Sequence, residues 1–149
     1  MAVTKYNARD LTFQIENLTT PATWIEIGGI TTFSKTHEEE VAETTTFGSD
    51  GQAESQKMQI SKQLTLEGFR LKDTATGALD VGQAEVEKLA GRLGDLSLGK
   101  IRFSAPGDTT WEVWTCHVNL GDQGGGNNDK TTWAVTFTRS GADTTAAIV

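Results

Sequence analysis

Few side chains in this sequence of 149 residues are suited to chemistry, and their spacing argues against it. There are two histidines and one cysteine. Cys116 and His117 are neighbours. In an extended segment neighbouring side chains point to opposite faces, so the two cannot form a thiolate–imidazole couple. His37 precedes Glu38, Glu39 and Glu40, a set that could attract a divalent cation. A metal site needs ligands held in fixed geometry, and a run of consecutive acids reads instead as solvated charge. Gly124-Gly125-Gly126-Asn127-Asn128-Asp129 has the composition of a calcium turn but occurs once, where such turns work as repeats, and it reads as a hairpin loop. Ser49-Asp50-Gly51 lacks the spaced acids of an EF-hand. There is no phosphate loop, nucleophile elbow or zinc spacing. Of the four tryptophans, which could stack on sugars, Trp111, Trp114 and Trp133 fall in alternating segments, where core or subunit-interface packing is the default. The expectation is a non-enzyme with no catalytic residue, no metal and no cofactor.

The elements that position these residues are mostly strands. The length fits one domain, 1–149, large enough to bury a core without staples. Many threonines, two prolines and short alternating apolar runs favour a mainly β fold. A lone cysteine gives no intrachain disulfide, and no run is long and apolar enough for a membrane helix. The first residues lack the apolar core of a signal peptide, so the expected setting is a cytoplasm.

Leu11, Phe13 and Ile15 alternate into a strand facing inward. Trp24, Ile25 and Ile27 form a second, ended by the bend-prone Gly28-Gly29. Ile30, Thr32 and Ser34 are assigned to one face of the next segment and Thr31, Phe33 and Lys35 to the other. Met58, Ile60, Leu64 and Leu66 line one face of a long strand, interrupted by Lys62. The apolar phase then shifts to Phe69 and Leu71, which predicts a bulge at Gly68. Asp80 caps the one good helix, with Gln83 three residues on. Val86, Leu89, Ala90 and Leu93 form its apolar face and Gly94 its stop. Leu96, Leu98, Ile101 and Phe103 predict a strand kinked near Gly99. Residues 109–120 predict a strand with Trp111 and Val113 on one face and Trp114, Cys116, Val118 and Leu120 on the other. Residues 130–139 predict the last, with Trp133, Val135 and Phe137 inward. Residues 1–10 and 140–149 read as arms.

Between the two central strands, residues 37–56 show no apolar period and read as a long loop. It holds Glu38, Glu39, Glu40, Glu43, Asp50 and Glu54, no Lys or Arg, and the aromatic Phe47. Those are six of the 20 acids, leaving 14 against 13 bases, so the body is nearly neutral and shows no basic patch for nucleic acid.

Trp24-Ile25-Glu26-Ile27-Gly28-Gly29-Ile30 resembles the W-x-x-I-x-G-I segment of phage tail tube proteins, the major tail proteins of long-tailed phages. The resemblance continues in Leu66-Glu67-Gly68-Phe69-Arg70-Leu71 and the Asp-Thr-x-Thr-Gly turn after it. Asp80-Val81-Gly82-Gln83 and Phe137-Thr138-Arg139-Ser140-Gly141 extend it over nearly the whole chain. It implies two packed antiparallel sheets with one flanking helix. It also implies self-assembly into rings, usually hexameric, stacked as a hollow tube for genome delivery, with the long loop and the arms joining subunits. Other implied partners are tape measure and terminator proteins, with DNA passing through unbound and no membrane contact. The implied location is the virion tail, assembled in the host bacterial cytoplasm. An inner tube of a contractile tail or injection particle shares that fold. The residues alone also leave open a monomeric sugar-binding or decoration module.

Long strands with one apolar and one polar face suit a sheet that is wet on one side. Their unpaired edges are a liability that ring closure removes. Gln59, Ser61, Gln63, Thr65, Thr132, Thr136 and Thr138 are the candidate lumen lining, mostly neutral hydroxyls and amides, with Lys57 and Glu67 assigned to the same face of the long strand and no array of cations to grip phosphate.

Overall fold

Alternating apolar residues become strands, and the computed structural model describes them over residues 3–148. The extreme ends of the expected arms, Met1, Ala2 and Val149, lie outside the described residues. In chain order the elements are β1 (Thr12–Glu16), β2 (Trp24–Glu26), β3 (Ile30–Glu43), β4 (Ser55–Phe69), α1 (Val81–Ala90), β5 (Gly99–Ser104), β6 (Thr110–Leu120), β7 (Thr132–Arg139) and β8 (Thr144–Ala147).

Mainly β with one flanking helix is what the pattern called for. The layers differ in how they are joined: one antiparallel sheet runs β2-β1-β5-β6-β7-β4-β3, with β8 on β6. This sheet curls until its far strands meet. Phe13 of β1 lies 5.4 Å from Phe33 of β3, ring centre to ring centre, and the Lys35 ammonium sits 5.0 Å over the Phe103 ring of β5. The two packed layers are therefore halves of a single sheet. Its interior is filled by Phe13, Ile15, Leu64, Leu66, Trp114 and Phe137 among others, with Val86 and Leu89 of α1 closing one side. Edge-to-face packing of Phe103 on Trp114, 5.2 Å between centres, anchors the middle.

Several sequence expectations are corrected. Residues 37–56 are not one loop: His37–Glu43 continue β3, paired with β4 from Ser55 on, so only residues 44–54 connect the strands. The polar sequence gave no apolar period there because both sides of this hairpin are solvated. Met58 and Ile60 do not face a core but are 64% and 50% exposed. The bulge lies in β3 rather than at Gly68. Thr31 is the extra residue between the pairs Ile30↔Gly68 and Thr32↔Glu67, which puts Ile30 and Phe33 against the same core. β4 runs through Gly68 against β7 without a break, and Phe69 is exposed. The helix stops at Ala90 with Gly91 as its cap, before Gly94. Leu93 thus leaves the apolar face, Leu96 falls in a short 3-10 turn, and neither Leu96 nor Leu98 belongs to β5. The expected C-terminal tail contains β8, paired to β6 from Thr110 to Val113.

Candidate assembly interface

The longest feature outside the core is the β3–β4 hairpin, and its root is locked by the helix. Gly29 has a φ of +77°, where a side chain is strained, and a Cβ on Gly68 would stand 1.9 Å from the Gly29 carbonyl oxygen. The two backbones can cross only because both residues are glycine. Asp80 caps α1, accepting the Gln83 N–H at 3.2 Å, and also accepts the Gly28 N–H at 3.3 Å. Gln83 is 1% exposed. Its Nε2 donates to the carbonyls of Gly28 (3.0 Å) and Phe69 (2.9 Å), and its Oε1 accepts the Leu71 N–H at 3.1 Å. One side chain therefore ties the segment entering β3 to the segment leaving β4. Sequence reasoning found Gln83 only as a capping partner; an amide three residues after the cap, on a helix that packs on glycines, was the available signal.

Beyond this root the hairpin leaves the body. Residues 55–61 are all exposed and span about 23 Å at the usual strand rise of ~3.3 Å. The expected acidic contact residues do not form one patch. Glu38 and Glu40 pair with Ser61 and Gln59 on one face. Glu39 lies opposite Ile60 and accepts from Lys57 at 2.7 Å and His37 at 3.1 Å; these partners, Lys57 first, hold its carboxyl below the usual range. Glu43 pairs with Ser55, and Glu54 accepts the Ser49 hydroxyl at 3.0 Å. Asp50 sits at the turn with a φ of +51°. The tip is ordered by Thr46 and Ser49 in a reciprocal capping box, and Phe47 stands on it fully exposed. Val41, Met58 and Ile60 add exposed apolar surface along the hairpin.

All seven candidate lumen residues share the outer face of the sheet. Gln63 pairs with Thr138 and Thr65 with Thr136, the two hydroxyls of the latter pair 3.4 Å apart. Gln59, Ser61 and Thr132 follow by alternation. The structure adds Thr32, Ser34 and Thr36 of β3, His117 and Asn119 of β6, and the acids Glu38, Glu40 and Glu67. Across β3, β4, β7 and the part of β6 paired to β7, this face carries no Lys or Arg: Lys62 pairs with His37 on the other face, near Asp143, and Lys57, expected beside Gln59, lies past the register shift at Glu40/Val41 and reaches Glu39 on that other face at 2.7 Å.

The chemically suggestive residues are placed apart. Cys116 is fully buried, and burial pushes its thiol up to about 12, while His117 faces outward. Trp114 and Trp133 have no exposed surface. Trp24 and Trp111 sandwich the Arg102 guanidinium at 4.4 and 4.3 Å, and Arg102 also donates to Gln14. Their indole faces are thus occupied by the chain itself.

No family model and no curated protein matches the chain. Solved structures do. A chain from the tail of an empty GTA particle, determined by helical refinement with C6 symmetry, superposes with a TM-score of 0.70 at 16% identity, covering 96% of this chain and all (100%) of that one. A chain from the virion of a native gene transfer agent gives 0.69 at 16%, with the same 96% and 100% coverage. A chain from the sixfold-symmetrised baseplate of the anti-feeding prophage gives 0.62 at 13%, covering 99% of this chain and 98% of that one. The chain shares its fold with chains of tail, virion and baseplate particles. At such identities it is the fold that is shared, and none of the three neighbours is named for an activity. This shared fold sets the hairpin, the outer face and the flanking helix in one domain-sized unit, with the 14-residue β3 at an open edge.

Proposed function

We propose that the chain is a structural subunit of a tail tube, which assembles into rings, hexameric as in the C6 tail it resembles, that stack into a hollow conduit for a genome. The observation that carries the reading is the β3 edge. β3 ends the strand order, so its 14 residues present an unpaired edge, continued by an ordered tip with a bare phenylalanine. A monomer with such an edge is prone to aggregate, whereas a closed ring pairs or covers it. The outer face then becomes the lumen: hydroxyls, amides and three carboxylates, with no fixed cation to hold phosphate. DNA slides past it. Tape measure and terminator proteins are the partners expected at the tube ends, and the virion tail is the expected location, with assembly in the bacterial cytoplasm.

A second reading, the inner tube of a contractile tail or injection particle, is favoured by the anti-feeding prophage neighbour. A sugar-binding module is disfavoured because two tryptophans are buried and the other two are stacked on Arg102. Negative-stain microscopy of the purified protein tests the proposal. Rings or tubes are the expected result; featureless monomers at all concentrations would refute it.

A further inference from the structure

Resting on the assembly reading above, we propose that the hairpin tip docks on residues 93–98 of a second copy of this chain. These residues link α1 to β5 and carry a second exposed apolar patch: Leu93, Leu96 and Leu98 are 88%, 69% and 43% exposed. The patch has a defined shape, because Gly94 turns the chain at a φ of +65° and the Ser97 hydroxyl donates to the Gly94 carbonyl at 2.6 Å. The tip offers the complementary apolar group, with Phe47 fully exposed and Val41, Met58 and Ile60 behind it.

Charge favours this acceptor over the hollow on the outer face. Residues 37–56 carry six acids and no Lys or Arg, whereas Arg92 and Lys100 flank the leucines against Asp95, Lys88 being paired with Glu85 at 3.2 Å and Arg102 stacked between Trp24 and Trp111. That alternative has a volume of about 570 Å³ and lies beside Gly68, Gly121 and Trp133. Its charged walls are Glu67 and Asp122, which repel an acidic tip. Donor and acceptor are different surfaces, so the contact is head-to-tail and propagates from copy to copy, unlike a twofold contact that stops at a dimer.

Cysteine cross-linking tests this without removing either apolar group. Gly48→Cys places a thiol beside Phe47, where an added Cβ meets only the Thr46 hydroxyl at 3.7 Å, and Ser97→Cys places one between Leu96 and Leu98. The native Cys116 is buried and stays silent. A disulfide-linked dimer is expected when the two variants are mixed, assembled and oxidised, and not with either variant alone. Rings or tubes that form without a 48–97 link overturn the docking while leaving the tube reading intact; a chain that stays monomeric at every concentration overturns both. As a second measurement, Leu96→Asp should leave the melting temperature unchanged and raise the critical concentration for tube growth about tenfold or more. Growth at the native concentration would overturn the docking.

Discussion

Replacing Gln83 by leucine should loosen the root of the hairpin before anything else. The change keeps the side chain's approximate size and removes its hydrogen bonds to Gly28, Phe69 and Leu71. At a net ~1 kcal/mol each, the three bonds amount to about 3 kcal/mol, with more where the freed backbone groups stay out of reach of water. For a domain of this size 1 kcal/mol moves the melting temperature by roughly 2–4 °C, so Gln83→Leu should melt roughly 6–12 °C lower by circular dichroism. Amide exchange should accelerate first at Phe69, whose N–H donates to the Gly29 carbonyl at 2.9 Å, and at Leu71. Gln83→Glu supplies a control with a sign. Its carboxylate would face two carbonyl oxygens in a buried site, so its folded pKa rises above the unfolded value of about 4.3. The folded state then holds the proton more tightly, and stability relative to wild type is kept below about pH 4.3 and lost as pH rises. A Gln83→Leu melting point within about 2 °C of wild type, or exchange that speeds up uniformly over the domain, would show that Gln83 does not clamp the root.

Three further outcomes follow from other parts of the molecule. Arg102→Ala should cost about 1–2 kcal/mol in urea unfolding through loss of both cation–π stacks, with Arg102→Lys losing less; no change would mean the sandwich is incidental. Because burial raises the Cys116 thiol from 9.0 to about 12, the unfolded chain releases that proton first, and stability should fall as pH climbs from 9 toward 12. Cys116→Ala should abolish that slope relative to wild type, and a thiol reagent should label native protein only on unfolding. In assembled tails, Gln59→Arg with Gln63→Arg should slow genome release by placing cations on the outer face; unchanged release would remove that face from the lumen.

Where a residue's environment repeats with the period of its element, the sequence was enough. Phe13 and Ile15, Leu64 and Leu66, and Trp133, Val135 and Phe137 are buried as their alternation requires. Cys116 and His117 diverge for the same reason. Legibility failed where one period carried two environments. Met58 and Ile60 continue the phase of Leu64 and Leu66, yet the first pair stands outside the body and the second inside it. Alternation reports only that one face of a strand is to be covered; it does not say whether the cover lies in the same chain. Across from them, His37 to Glu43 has no apolar period, because its ladder to β4 rests on backbone bonds that leave no trace in side-chain pattern. The leucines at 93, 96 and 98 show the same ambiguity: they read as helix face and strand core and are neither. Apolar positions spaced for burial that the chain's own fold leaves bare occur at the hairpin and again after the helix. A self-contained domain has no use for either; both are apolar, one flanked by acids and the other by Arg92 and Lys100. That pairing, more than any single motif, argues that the unit which completes this fold is another copy of it.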